Sequence, residues 1–426
     1  CIRTSKIIIN YSHFLGNTMK RFNNFHQRPN FQQNLESIGM NYWNLASDPD
    51  ALPYWQEGVC YGFSETQIDK VLDATQELHD MSIDMVATMV KSGDYPDYFS
   101  LTENCKALIE QSWNRGDKSF YGRFDLAYNG QDEIKMLEYN GDTPVSILEC
   151  SVAQWDYIQQ AEGIPNPLRT QYNMLDERMI ETWKEQYEPG TLIHFAASGG
   201  FRHEDWGNLV YVMDTALRAG MNVKEIKMQD MGLTDNGIFV DLDNQHIQNC
   251  FKLYPWEWMM DEQFGAAIQG SDTTWLEPAW KMLLSNKAML VKLWALNIGH
   301  PLLLESYAQA NLVPDGRWAK KAIHGREGSN IYTFNKQDGS VITNELAQGS
   351  HDVPDYDKWG YMFQKWTDIS THDGYRPILG SWVIGDQACG MSVREDKNLV
   401  TGNDAFFASH IFVPYDHEEE YSHFFK

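Results

Sequence analysis

Apolar residues recur at helical spacing over 64–91: Ile68, Val71, Leu72, Leu78, Ile83 and Val86 fall on one face, and Ser64 and Thr66 can cap the start. The spacing predicts a helix there and a second over 102–113. Two alternating runs follow, 120–128 and 133–140, separated by Asn129-Gly130-Gln131-Asp132. Asn-Gly between alternating runs signals a hairpin. Next come a helical stretch over 145–187, a buried strand at 191–197 ending in Ser198-Gly199-Gly200, a helix over about 205–219 and a strand at 223–228. This middle region reads as an α/β unit. The pattern predicts a hairpin over 235–254, a helix over 277–297 and an apolar strand or helix at 301–308. From Arg317 onward it turns to strands: RWAKKAI, NIYTF, RPILGSWVI and ACGMSVRE. The expectation is an α+β chain with an α/β body and a β-rich lobe toward the C-terminus.

The 426 residues suit two or three packed lobes, and 42 % apolar content with 15 Trp supplies a sizeable core. A formal net charge of -25 argues against nucleic-acid and anionic-membrane partners, both of which need basic surface. It suits a cationic substrate such as a polyamine, and equally a plain solvated acidic surface. No apolar run approaches the roughly 18 residues of a membrane span. Cysteines at 1, 60, 105, 150, 250 and 389 form no CxxC pair, so neither a zinc site nor a disulfide framework is expected. Reduced thiols fit a cytoplasmic protein. Met19 would be a natural start, and residues 1–18 are expected to be an extension outside the fold.

The hairpin carries the first candidate chemistry. Residues of equal parity share a strand face. A loop centred on Gly130-Gln131 pairs 125 with 136 and 123 with 138, which puts Arg123, Asp125, Glu138 and Asn140 on one face. Carboxylates and an amide oxygen suit Mg²⁺, and Arg suits phosphate or carboxylate. An ordinary solvated face with a cross-strand ion pair fits the same pattern. In AKKAIHGREGSNIY (319–332) a strand ends in two Lys before a loop holding Gly325, Arg326, Glu327 and Gly328. Such backbone can fold over phosphates, with Lys reaching their charge and Glu327 adding a metal ligand; a plain charged hairpin remains the alternative. Neither a Walker A loop nor a GxGxxG fingerprint occurs. Lys287 interrupts the apolar helix of LLSNKAMLVKLWAL, where it could simply snorkel. Arg394, at the end of a strand, says nothing alone.

Together these segments resemble the synthetase domain of the glutathionylspermidine synthase family. The matching elements are FYGRFD (120–125), KMLEYN with GDTP after it (135–144), LYPWEWM (253–259), LLSNKA (283–288), KKAIHGREGSN (320–330) and GSWVIGD with VRED (380–396). They run in order from about residue 40 to the C-terminus. The resemblance implies an ATP-grasp-like α+β fold with an α/β substrate-binding lobe and a β-rich ATP-binding lid lobe. It implies a mostly helical part over 19–115, the metal-site hairpin and substrate lobe over 116–275, and the nucleotide lobe with its lid over 276–426. Asp125, Glu138 and Asn140 match the family's Mg²⁺ ligands, with Glu327 at a further ligand position of related ligases. Arg123 matches the Arg near the γ-phosphate and the acyl substrate. Arg394 matches the Arg that steadies the transferred phosphate. Lys287 and Lys321, the latter beside an equally placed Lys320, match the phosphate lysines, and the loop from Gly325 to Gly328 matches the lid.

The function so implied is an ATP-dependent acid–amine ligase that uses ATP and two Mg²⁺ ions and forms an amide through an acyl-phosphate. Its partners would be a small-molecule acid and amine, glutathione or a peptide acid with a polyamine among them. The alternative is an ATP-binding pseudoenzyme or interaction protein that keeps the fold. Thr143, Ser146 and Glu149 are expected to line the acid pocket, and Glu204 and Asp205 to meet substrate. Some 100 residues before the hairpin leave no room for the Cys/His amidase domain of the bifunctional members, so Cys60 is not expected to be its nucleophile.

Overall fold

The computed structural model describes residues 19–45, 52–198, 203–326, 328, 331–344, 356–402 and 405–421. Strand β1 (Lys20–Phe22) and helix α1 (Phe31–Ser37) precede strand β2 (Trp55–Ser64). Helix α2 (Glu65–Ser92) follows directly, started by a capping box in which Ser64 and Gln67 satisfy each other's backbone amides, and stopped by Gly93 at φ 65°. Its buried stripe includes Ile68, Val71, Leu78, Val86 and Met89. Helix α3 (Glu103–Arg115), capped by Thr102, leads to strands β3 (Tyr121–Tyr128) and β4 (Ile134–Asn140). A π-helical turn (Glu149–Ala153) runs into α4 (Gln154–Gln160); α5 (Leu175–Gln186), β5 (Leu192–Ala197), α6 (His203–Arg218) and β6 (Asn222–Lys227) follow. Short strands β7 (Gly232–Leu233) and β8 (Phe239–Val240) precede β9 (Asn249–Leu253), α7 (Trp256–Asp261), α8 (Gly265–Ile268) and β10 (Thr274–Leu276). Helices α9 (Met282–Ser285) and α10 (Ala288–Leu296) lead to β11 (Ser306–Tyr307), β12 (Arg317–Ala322), β13 (Tyr332–Asn335), β14 (Val341–Asn344) and β15 (Tyr361–Lys365). The last elements are β16 (Arg376–Ile384), β17 (Gln387–Asp396), β18 (Phe406–Val413) and α11 (Glu418–Tyr421).

Three large sheets result, beside the small antiparallel pair β7-β8. The largest runs β1-β2-β18-β17-β16-β3-β4, antiparallel except for β18 beside β2, and so takes strands from both ends and the middle of the chain. A parallel sheet runs β10-β9-β5-β6. A third, antiparallel, runs β11-β15-β12-β13-β14. One core packs α2 and α9–α10 against the large sheet; a second is rich in rings, with Phe120, Trp183, Phe195 and Phe251 in mutual contact. Among the described residues, no helix is long and apolar enough to cross a membrane.

Several expectations need correction. The hairpin register is displaced: Asp125 faces Glu138 and Arg123 faces Asn140. A bulge beside Leu126 then places Met136 opposite Leu126, both fully buried, so that Leu137 takes the cavity side instead. The shift is two residues on the site side of the bulge, which keeps the four polar side chains on one face. The predicted helix over 145–187 breaks between α4 and α5, where Gly163, Pro165 and Pro167 interrupt it. Of the stretch 235–254, β9 joins the parallel sheet rather than a hairpin, because both its neighbours bury its apolar residues. The predicted helix over 277–297 breaks at Asn286, whose extended backbone and side chain cap α10 through the Ala288 amide at 2.9 Å.

Candidate active site

The three sheets meet around a cavity of about 690 Å³. The large sheet contributes Arg123, Asp125, Glu138, Asn140, Gly380 and Arg394. Beyond the C-terminal ends of β5 and β9, Ser198, Tyr254 and, from α7, Trp258 line the cavity, the place where parallel sheets collect ligand-binding residues. The third sheet contributes Ala319, Lys321 and Gln364, and the loop after it Arg326 and Gly328.

On the hairpin, Arg123 donates to both carboxylate oxygens of Asp125, at 2.7 and 3.2 Å, and to the Val145 carbonyl at 2.7 Å. It can lie flat across Asp125 because the residue facing Asp125 on β16 is Gly380; a Cβ there would stand 2.9 Å from Arg123 Cδ and 2.6 Å from Ser392 Oγ. Burial raises the Asp125 carboxyl, Arg123 pulls it down, and the facing Glu138 pushes it up again. Glu138 behaves oppositely: burial works against its charge, yet Lys287 and Lys321 outweigh that and hold it down to about 2. Lys287 Nζ sits 3.0 Å from Glu138 and donates to the Gly325 carbonyl at 2.5 Å, just behind the cavity wall. The break at Asn286 makes this reach possible, so Lys287 is not the snorkelling residue of a continuous helix.

Strand alternation separates the two candidate lysines. Lys320 lies over the Tyr361 ring at 3.6 Å, while Lys321 faces the cavity and donates to Gln364 Oε1 at 2.6 Å and the Leu137 carbonyl at 3.1 Å. Burial draws Lys321 down to about 8, against the pull of Glu138 and with the help of Lys287. Arg394 donates to the Gly402 carbonyl at 3.1 Å, and its buried Nε has no hydrogen-bond partner among the described residues. Gly328, at φ 69°, packs so closely on Thr401 that a Cβ would stand 2.4 Å from its carbonyl oxygen. Glu327 lies outside the described residues.

Some contributors carried no assigned role in the sequence. Arg326 donates to Thr143 Oγ1 at 2.8 Å and Glu257 at 2.6 Å, spanning the cavity from the glycine loop to the opposite wall. Burial opposes the Glu257 charge, but Arg326 and His324 hold its carboxyl down to about 2. The acid between two Trp in LYPWEWM was the available signal. Thr143 and Asp205 line the cavity; Ser146 and Glu149 do not, being packed beneath Tyr54, which hydrogen-bonds both.

The donors fit a hard cation: Asp125, Glu138 and the Asn140 amide stand on facing strands toward the cavity. Among the described residues no three His, Cys, Asp or Glu side chains cluster as a self-sufficient metal site. A cation here would take its remaining oxygens from phosphate and water, as Mg²⁺ does.

The model of the family described as glutathionylspermidine synthase preATP-grasp matches residues 22–413. The chain belongs to the glutathionylspermidine synthase family. Within that family it is 43 % identical to a Haemophilus influenzae protein that carries the provisional name acid–amine ligase, over 93 % of this chain and all of that one. It is 26 % identical to a trypanothione synthetase of Crithidia fasciculata, over 78 % of this chain but 53 % of that protein. It is 23 % identical to the bifunctional glutathionylspermidine synthetase/amidase of Escherichia coli, over 80 % of this chain and 57 % of that one, so it spans little more than half of these longer relatives. A glutathione synthetase-like effector from Globodera pallida shares the fold, with a TM-score of 0.52 at 13 % identity over 91 % of this chain and all of that one. As a member of this family, the chain is an ATP-dependent acid–amine ligase.

Proposed function

We propose that the cavity binds ATP with its phosphates between the Asp125–Glu138 face and Lys287 and Lys321, and that a carboxylic acid is activated there as an acyl-phosphate and passed to an amine. The observation that carries this reading is the register pair Asp125–Glu138, flanked by Arg123 and Asn140 and set against Lys321 across one cavity. Mg²⁺ held by Asp125, Glu138 and Asn140 would offset phosphate charge during transfer.

The acid's carboxylate oxygen attacks the γ-phosphorus and ADP leaves. Arg123 and Arg394, whose Nε lacks a partner among the described residues, stabilise the transferred oxygens, a role worth about 3 kcal/mol each. The neutral amine then attacks the acyl carbon, inorganic phosphate leaves, and the amine's proton is released to a nearby carboxylate or water. Asp205 on the cavity wall supplies negative charge for a cationic amine. The loop of Gly325, Arg326 and Gly328 covers the phosphates and keeps water from the acyl-phosphate. The relatives' names point to a glutathione-like acid and a polyamine as the first substrates to try. The free thiols suit a cytoplasmic setting.

The test mixes the protein with ATP, Mg²⁺, a panel of acids (glutathione, short peptides, amino acids) and a panel of amines (spermidine, putrescine, small diamines). ADP and phosphate appearing only with both partners, together with a new amide mass, support the reading. ATP binding without turnover on any pair sinks it in favour of a binding protein.

A further inference from the structure

Two fully buried ion pairs stand at the open end of the hairpin that carries Arg123, Asp125, Glu138 and Asn140. In the first, Lys281 Nζ lies 2.8 Å from Glu277 and donates to the Tyr121 carbonyl at 2.6 Å, while Glu277 accepts from the Phe120 and Tyr121 amides at 3.1 and 3.0 Å. In the second, Lys252 Nζ lies 2.6 Å from Asp142. Trp256 joins the two: its amide donates to Asp142 at 2.9 Å and its indole N–H to the Glu277 carbonyl at 3.1 Å. The anchored residues bracket the site. Tyr121 is two positions before Arg123, and Asp142 two after Asn140, so each is separated from a site residue by a single glycine, Gly122 or Gly141.

Burying four charges is a poor way to gain stability, because desolvation offsets most of the attraction and a packed apolar pair often does as well. Their virtue is direction. An ion pair that also satisfies backbone donors and acceptors fixes position and angle, where an apolar contact permits sliding. Lysine within the buried strand β9 and glutamate within the core have no contact with the cavity, so neither serves the ligands directly. We infer that Lys252–Asp142 and Lys281–Glu277, bridged by Trp256, are positioning residues that clamp the two strand ends and hold the metal-ligand face in register with the opposite cavity wall. This rests on the function proposed above for that face. Trp256 is followed by Glu257, the partner of Arg326, so the same clamp also fixes the counter-wall to which the glycine loop is tied.

The experiment compares wild-type protein with two double variants, Lys252→Met with Asp142→Leu, and Lys281→Met with Glu277→Gln. Three readouts are taken: the thermal midpoint, amide hydrogen exchange across 121–142, and the Mg²⁺ dependence of ADP binding by calorimetry. Turnover on an acid–amine pair is the fourth. The expected result is a folded variant with faster exchange in the hairpin, a half-saturating Mg²⁺ concentration raised about tenfold, and kcat lowered by about 10²-fold with the KM for ATP nearly unchanged, as a misplacement of about 1 Å produces. A folded variant with wild-type exchange and Mg²⁺ dependence overturns the inference. Should neither double variant fold, Lys252→Arg decides, since it keeps the charge but changes the reach: wild-type Mg²⁺ dependence overturns the clamp, a raised requirement supports it. A wild-type protein that binds Mg²⁺ and ADP yet turns over no acid–amine pair defeats the proposed function instead, and the clamp is then judged on exchange and Mg²⁺ dependence alone.

Discussion

Lys321 is 6 % exposed, and burial, reinforced by Lys287 and opposed by Glu138, brings its pKa from 10.5 to about 8. The unfolded chain therefore takes up the proton more readily than the folded one, and the folded protein pays for holding a charged Lys321 at neutral pH. Each pKa unit is worth about 1.4 kcal/mol, so the cost is about 3 kcal/mol at pH 7. It is fully present below pH 8, falls as pH rises toward 10.5, and is about 1 kcal/mol at pH 10. Lys321→Met removes this cost but strands the Gln364 and Leu137 oxygens, at about 1 kcal/mol each. The variant is thus expected to be about 1 kcal/mol more stable than wild type at pH 7 and about 1 kcal/mol less stable at pH 10, while nucleotide affinity collapses at both. Urea unfolding at the two pH values reads the first effect and calorimetry with ADP and Mg²⁺ the second. Stability differences that run parallel across this pH range would refute the argument, whatever their sign.

Other consequences follow from the same geometry. Arg326→Met leaves the Glu257 carboxylate unpaired, and unfolding should show a loss of about 2 kcal/mol above pH 4.5 that dwindles as pH falls toward 2, because the depressed Glu257 stabilises only while it is ionised. Gly380→Ala drives a methyl group onto Arg123 and Ser392; steady-state kinetics should record a kcat loss of about tenfold or more with the thermal midpoint little changed, and an unaffected kcat would mean that Arg123 is not where the transfer occurs. Glu138→Gln should raise the Mg²⁺ concentration needed for half-maximal turnover by about tenfold or more, and an unchanged titration would remove Glu138 from the ligand set.

How much of this was legible in the chain varies from element to element. Helix α2 was plain because its cap, its apolar stripe and the stopping glycine all agree. The hairpin face was legible because strand parity survives a two-residue register shift. The bulge at Leu137 was not, since nothing local marks which strand absorbs an extra residue. The break at Asn286 was hidden by strong helical periodicity on either side, and it is this break that turns Lys287 toward Glu138. Arg326, Lys252 and Lys281 find their partners across 69, 110 and 4 residues respectively, and only the last distance can be read from spacing. The lysine in CFKLY and the glutamate in WLEPAW are charges within apolar runs, a mark of buried pairing that names no partner, and neither carried an assigned role in the sequence.

The large sheet has a consequence for how the protein is made. Asp125 lies beside Gly380, and Arg394 is held between β16 and β18, whose other neighbour is β2 from the opposite end of the chain. Arg21 closes this arrangement onto Glu395 across 374 residues. Such pairings carry a heavy loop-closure entropy and are formed late. During synthesis the hairpin with Arg123 and the carboxylates leaves the ribosome long before β16–β18 can cover it, so the nascent chain has the proposed metal ligands and Arg123 but lacks Arg394. On the proposed function it would not spend ATP until nearly the whole chain has emerged, and until then its unpaired β3 edge is a surface for chaperones to guard.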